Sequence, residues 1–192
     1  MRIVTAGLIG GLVMFLWGVV AHMVLPLGDV GMRLPVAENA VLAALPQGLG
    51  DQPGVYLLPS LDPAKIDDPT VVKAYSAKSI ASPYAFVIYQ PHGTDPMAMG
   101  PQIGVQWGTD TLAALALAFV MGLAGLSFGR RLGIAAAAAV FSWLSLLLPY
   151  WNWYRFPLDF TLAALLEQVV GWLLAGTAIA WWIGRQERKL AL

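Results

Sequence analysis

The chain has 192 residues, of which 58% are hydrophobic and 11% are charged, and its mean hydropathy is +0.68. A soluble domain carries about 25% charged residues, so this composition is typical of a membrane protein. The net charge is zero and cysteine is absent, which excludes a basic nucleic-acid-binding surface, disulfide exchange, thiolate catalysis and Cys-ligated metal centres.

Four apolar segments predict membrane-spanning helices, at residues 3–25, 111–128, 132–148 and 160–183. Each approaches the roughly 20 apolar residues that cross a bilayer. The first segment is longer than the core of a signal peptide, which has about 7–15 apolar residues. No convincing cleavage site follows it, so residues 1–26 are predicted to be an uncleaved transmembrane anchor.

Residues 27–108 carry the patterns of a small α/β insertion between the first and second spans. Helix and strand patterns alternate along it, as helix 36–45, strand 54–59, helix 67–79 and strand 83–91. Two strands are marginally stable alone, so we expect the insertion to lean on the bundle or on a partner. Residues 92–108 are rich in Gly and Pro and are predicted to be irregular.

The predicted fold is therefore an α-helical polytopic membrane protein, a bundle of four transmembrane helices with an external α/β insertion. Helices two to four occupy residues 109–184, and residues 185–192 form a basic tail. Basic residues concentrate at Arg2, at Arg130-Arg131 and in the tail. By the positive-inside rule both termini are cytoplasmic, and residues 27–108 lie outside. In a bacterium, which we assume, this places the chain in the inner membrane and the insertion in the periplasm.

The order of elements resembles that of claudins, in which one span, a long external segment and three further spans follow each other. This chain lacks the W-GLW…C…C pattern of the claudin external segment. The resemblance is therefore one of topology and assigns no functional residue.

Small residues recur at four-residue spacing in the predicted spans. In lipid, helices associate where small residues let their backbones approach, because apolar burial gives no driving force there. We expect the close helix contacts at three pairs, Gly7 with Gly11, Gly125 with Gly129, and Gly171 with Ala175.

Two ionisable residues interrupt the apolar segments near the outer surface. Glu167, followed by Gln168, lies seven residues past Phe160, roughly 10 Å along the fourth span. His22 lies four residues before Pro26. The two are predicted to lie at similar depth and to pair. An ionisable residue within a span is a candidate functional residue, because its insertion is costly. The alternatives are an interhelical clasp, which we favour, and a proton- or cation-handling site.

A methionine and histidine cluster precedes the second span. Imidazole and thioether ligands suit Cu(I), so His92, Met97 and Met99 are a candidate copper site. The favoured alternative is a membrane-proximal loop whose methionines pack on apolar surface. No other cofactor is predicted.

Aromatic residues flank the outer ends of the predicted spans, and the main members are Trp107, Trp151 and Trp153, with Arg155 among them. Such rings anchor helices at the membrane interface; the alternative is a surface for lipid headgroups or a partner. Asp110 and Asp159 are predicted to cap the second and fourth helices.

No nucleophile elbow, P-loop, HExxH or dinucleotide fingerprint is present, which favours a non-enzymatic protein. The leading hypothesis is an accessory or scaffold subunit that binds a periplasmic protein, a membrane protein or its own copy. The alternatives are a small transporter or ion- or metal-handling protein that uses His22 and Glu167, and a lipid binder or lipid-modifying enzyme at the outer aromatic belt.

Overall fold

A computed structural model describes residues 1–123 and 125–190. Within these residues, four helices are long and apolar enough to cross a membrane, at Arg2–Met23, Gly100–Gly122, Phe128–Tyr154 and Leu158–Leu190. The predicted class, a helical membrane protein, is confirmed. The chain divides into two compact units, of which one is Met1–Arg33 together with the chain from Met97 onward, and the other is Leu34–Pro96.

The first unit is the membrane bundle. It contains α1 (Arg2–Met23), α4 (Gly100–Gly122), α5 (Phe128–Ser142), α6 (Leu148–Tyr154) and α7 (Leu158–Leu190). Helix α1 packs against both α4 and α7, and α7 also packs against α5. One end of the bundle contains the last turn of α1 and the first turns of α4 and α7, and we call it the insertion end. The opposite end, which holds Arg2 and Glu187, is the terminal end.

Glycines set the close approaches of α1 in this bundle. A Cβ atom on Gly7 would lie 2.8 Å from the Leu115 backbone, and one on Gly11 would lie 2.5 Å from Thr111 Cα. Gly171 brings α7 against α1, where an added Cβ would lie 2.6 Å from the Met14 sulfur. A side chain at Gly7 or Gly11 would collide with the α4 backbone and force the two helices apart, whereas one at Gly171 would displace the Met14 and Trp17 side chains.

The pair Gly125 and Gly129 does not form the predicted helix contact. Helix α4 ends at Gly122, Gly125 lies between α4 and α5 without regular structure, and Gly129 belongs to the first turn of α5. A Cβ at either glycine would meet nothing within 4 Å. This part of the packing prediction was wrong because it extended the second span to residue 128. Ala124, within that predicted span, lies outside the described residues.

The second span begins earlier than predicted, and this has consequences for Asp110. Gly100 and Pro101 open α4, since Pro at the first turn needs no amide partner. Residues 100–108 are therefore helical, where irregular structure was predicted. Asp110 is consequently not a cap: it lies in the middle of α4 and is buried.

The third span continues through Pro149, where the prediction ended it at residue 148. A π-helical turn, Trp143–Leu147, joins α5 to α6. The wider turn suits a proline, which lacks an amide hydrogen and collides with the carbonyl one turn earlier in a regular helix. Arg155 then takes a left-handed φ of 56° and closes the turn toward α7.

The second unit, Leu34–Pro96, contains two helices and one antiparallel pair of strands. Its elements are α2 (Glu38–Leu49), β1 (Gly54–Leu58), α3 (Pro69–Ala81) and β2 (Ala85–Tyr89). The strands pair with Val55 opposite Ile88 and Leu57 opposite Phe86. Pro59 and Tyr89 are its buried residues, so the unit has almost no core of its own. We call this unit the insertion.

Candidate functional site: a polar cleft at the insertion end

His22 and Glu167, which were predicted from the sequence to pair, are in hydrogen-bond contact. His22 Nε2 lies 3.0 Å from Glu167 Oε1, so an ionised Glu167 accepts the bond from the Nε2–H group. The His22 side chain is 54% exposed and that of Glu167 is 20% exposed. The pair joins the last turn of α1 to the third turn of α7, and it lies at the edge of an opening rather than inside closed packing.

A tight loop after α1 fixes the position of the His22 ring. Gly28 lies against this ring so closely that an added Cβ would overlap the imidazole. Gly31 has a φ of +84° and packs on Phe160, where a Cβ would come within 2.5 Å. Arg33 ties the loop to α7 through an ion pair of 2.9 Å with Asp159. The loop is thus anchored on α7 and holds the ring from one side.

Helix α4 brings a second carboxyl group toward the pair. Asp110 is 8% exposed, and Gln106 Nε2 donates to its Oδ1 at 2.9 Å. Asp110 and Glu167 line the same cleft. No basic side chain among the described residues forms an ion pair with Asp110. A second carboxyl group without a cation therefore lies inside a membrane span.

Two indole groups donate hydrogen bonds to α7 at the site. Trp17 Nε1 donates to the backbone carbonyl of Glu167 at 3.0 Å, which ties α1 to α7 one turn below the His22 contact. Trp172 Nε1 donates to Gln168 Oε1 at 3.0 Å. The Gln168 side chain is thereby oriented, and its amide nitrogen remains a donor for other groups.

These polar groups meet in a cleft of about 580 Å³ between α1, α4 and α7. Polar side chains from all three helices line it: His22, Gln102, Gln106, Asp110, Glu167 and Gln168. The remaining wall is mostly apolar, formed by Met14, Phe15, Gly18, Val19, Met23, Met99, Ile103 and Trp172. The cleft is therefore amphipathic. Its polar lining contains many oxygen acceptors and one titratable base, His22, which is already bonded to Glu167.

No family model, no curated protein and no solved structure matches this chain. The topological resemblance to claudins therefore has no matching structure or family behind it, and function has to be argued from the site.

The candidate copper ligands are divided between the two units, and the copper site stays a prediction. His92 belongs to the insertion, while Met97 and Met99 belong to the bundle. Met99 immediately precedes α4 and lines the cleft. Within residues 1–123 and 125–190, no group of three or more His, Asp or Glu side chains could hold a metal ion. The cleft carboxyl groups and His22 thus do not form such a group.

The aromatic belt residues face outward. Trp107, Trp151 and Trp153 are all exposed, as expected for rings at lipid or at the interface. Trp107 lies in the second turn of α4, where the prediction placed it ahead of the helix. Asp159 lies in the first turn of α7 and accepts a hydrogen bond from the Phe160 amide at 2.9 Å, which satisfies one free amide there.

A separate charged network closes the terminal end of the bundle. Arg131 is 2% exposed, and its Nη2 lies 2.7 and 2.8 Å from the two carboxylate oxygens of Glu187. Its Nε donates to the Met121 carbonyl at 3.2 Å, and Arg2 approaches Glu187 at 3.6 Å. This network joins α1, α4, α5 and α7, with two guanidinium groups gathered at the Glu187 carboxylate.

Gln102, Gln106 and Asp110 were not predicted from the sequence as site residues. Helix α4 is the least apolar of the four spans, because polar residues occupy its first half. Their spacing was the available signal: positions 102, 106 and 110 repeat every four residues and so fall on one helix face. Gln102 and Gln106 were assigned to an irregular segment and Asp110 to a helix cap, because the helix was predicted to begin after them.

Proposed function

We propose that this protein is an integral membrane binding protein that holds a small amphiphile in the cleft between α1, α4 and α7. The observation that carries the proposal is the convergence of polar side chains from three helices on a cleft whose other wall is apolar. A ligand with a polar head and an apolar body would satisfy both parts. The volume of the cleft, about 580 Å³, is within the range of pockets for small ligands, about 300–1,000 Å³.

An interhelical clasp accounts for only part of this arrangement. The contact between His22 and Glu167 joins two helices, as a clasp would. Gln106 and Asp110, however, bond to each other on one helix face, so that bond holds no two helices together. An ionisable side chain inside a span is costly to insert and is a candidate functional residue by default. The α4 residues therefore favour binding over a purely structural role.

Photoaffinity labelling tests the proposal. The probe is a twelve-carbon alcohol with a diazirine in its chain, added to membrane vesicles that contain the full chain. We expect crosslinks on the cleft-lining residues of α1, α4 and α7. Gly18 lines the cleft and has no atom within 4 Å of an added Cβ, so Gly18→Phe should fill the cleft and remove these crosslinks.

Gly104→Phe is the matched control. Gly104 also lies in a bundle helix with open space around an added Cβ, but it does not line the cleft. The control should therefore keep the crosslinks. Labelling that is spread evenly over the lipid-facing surface, and that Gly18→Phe leaves unchanged, would contradict the proposal.

We further propose that the protein lies in the bacterial inner membrane with both termini in the cytoplasm and the insertion in the periplasm. The distribution of basic residues supports this, since Arg2, Arg130, Arg185, Arg188 and Lys189 belong to the terminal end. The chain has no cysteine, so single introduced cysteines report topology cleanly. An impermeant maleimide added to spheroplasts should label Gly48→Cys and not Arg188→Cys. The reverse pattern would overturn this orientation.

A second candidate function, an accessory subunit that binds a protein partner, is supported by the insertion. One face of its sheet carries Val55, Leu57, Phe86 and Ile88, which follow from the strand register. Val55 is 62% exposed and Ile88 is 72% exposed. Exposed apolar side chains on a sheet with two unpaired edges are typical of a surface that another chain covers.

Crosslinking in native membrane followed by purification tests this second function. We expect a stoichiometric partner that is lost when Val55→Ser and Ile88→Ser are combined. Lys73→Ser, on the exposed part of α3, should keep it. A lone, functional monomer in all three preparations would count against an accessory role.

A further inference from the structure

We infer that the head group of the bound amphiphile is a protonated amine, held by Asp110. This inference rests on the proposed function and names the ligand class of the same cleft. It starts from the charges that line the cleft, which are two carboxyl groups and one histidine. His22 is engaged by Glu167, so Asp110 is the carboxyl group for which the chain supplies no cation.

The surroundings of Asp110 favour an amine over other cations. Gln106 occupies its Oδ1 from the same helix, which leaves Oδ2 as an acceptor. A primary ammonium group has three N–H donors, and it can bond this oxygen together with the amide oxygens of the cleft. Bonds between charged groups are stronger than neutral ones when water is excluded. An anionic head group would instead meet two carboxyl groups, because Glu167 lines the same cleft as Asp110.

The apolar wall determines the rest of the molecule. Met14, Phe15 and Val19 from α1 line the cleft opposite Ile103 from α4, so an alkyl chain can lie between the two helices while its head reaches Asp110. This geometry fits a single-chain amine. A free metal ion is not expected, because no three-ligand group is present among the described His, Asp and Glu side chains.

Competition against the photoreactive alcohol tests the head group. The competitors share one chain length and differ in charge: dodecylamine, dodecanol and laurate. We expect dodecylamine to compete at least about tenfold better than dodecanol, which is the range for a hydrogen bond to a charged group. Laurate should compete worse than dodecanol. Partitioning into lipid is the same for every protein variant, so it cancels when variants are compared.

Asp110→Asn keeps the shape of the side chain and an acceptor for Gln106, and it should remove the advantage of the amine while dodecanol competes as before. Asp29→Asn is the control, because Asp29 is an exposed acid at the same end of the bundle and lies outside the cleft. It should keep the advantage. If Asp110→Asn does not fold, Glu167→Gln serves in its place and should reduce the advantage by weakening the negative field.

The outcomes separate this inference from the proposed function. If dodecanol displaces the label and dodecylamine is no better, or if the advantage survives in Asp110→Asn, the amine is overturned and amphiphile binding stands. If no competitor displaces the label, both fail. If Asp110→Asn loses the amine advantage and Asp29→Asn keeps it, the assignment of Asp110 as the head-group ligand is supported.

Discussion

Replacement of Gly28 by alanine should disturb the site through one methyl group. An added Cβ would overlap the His22 ring, with 2.8 Å to its Cε1 and 3.3 Å to its Cγ. The loop cannot easily move away, because Gly31 packs on Phe160 and Arg33 is tied to Asp159. The imidazole must therefore shift, and it is the flexible partner in this contact.

The expected cost follows from the bond that is lost. A shift that restores ordinary contact at Cε1 moves the ring by more than half an ångström, and His22 Nε2 starts 3.0 Å from Glu167 Oε1. Beyond about 3.5 Å such a contact is no longer a hydrogen bond. Bonds that involve a charged group contribute up to about 3 kcal/mol, and half-exposed pairs contribute less, so we expect a loss of about 1 kcal/mol.

The assay is the free energy of unfolding in mixed micelles titrated with dodecyl sulfate. In a His22→Ala background there is no ring to displace, so Gly28→Ala should then have almost no effect. An equal loss in both backgrounds would refute the reasoning, because it would show that the methyl group strains the loop itself. Gly48→Ala, in open space, controls for the change of residue type.

Three further predictions use the same titration. Arg131→Met should lower the free energy of unfolding by about 3 kcal/mol or more, because Arg131 is 2% exposed and its loss leaves Glu187 without its main partner. Adding Glu187→Met should recover most of the loss, and no recovery would argue against a coupled pair. Gly11→Val should lower the free energy of unfolding by about 1–3 kcal/mol, since the valine side chain would collide with the α4 backbone at Thr111. Gly104→Val should be near neutral, and equal effects of the two variants would exclude the packing explanation. Trp17→Phe should cost about 1 kcal/mol through the bond to the α7 carbonyl, and an unchanged midpoint would show that water or lipid replaces this bond.

Periodicity and residue type were enough to predict the helical membrane class and its four spans. Long apolar runs can satisfy their backbone groups in lipid only as helices, so hydropathy is informative about these elements. The strands at Val55 and Ile88 could also be found, because short β-branched and aromatic runs between prolines have few alternatives.

The site could be predicted only in part. His22 and Glu167 stand out because each interrupts an apolar run, and similar distance from the helix ends suggested their pairing. Asp110 does not stand out, because it follows a polar stretch that resembles a loop. Its depth is decided by Pro101, which opens the helix nine residues earlier. The approach of α4 to α1 depends on Gly11 and Thr111, and such a contact between distant segments has no signature in one sequence.

The central claim is that the cleft holds an amphiphile from the native membrane. The most direct measurement is native mass spectrometry of the protein released from its own membrane without exchange of lipid. We predict one bound molecule of single-chain amine mass on the wild-type chain and on Gly104→Phe, and none on Gly18→Phe. The same set of bound molecules on all three proteins, or none on the wild type, would contradict the claim.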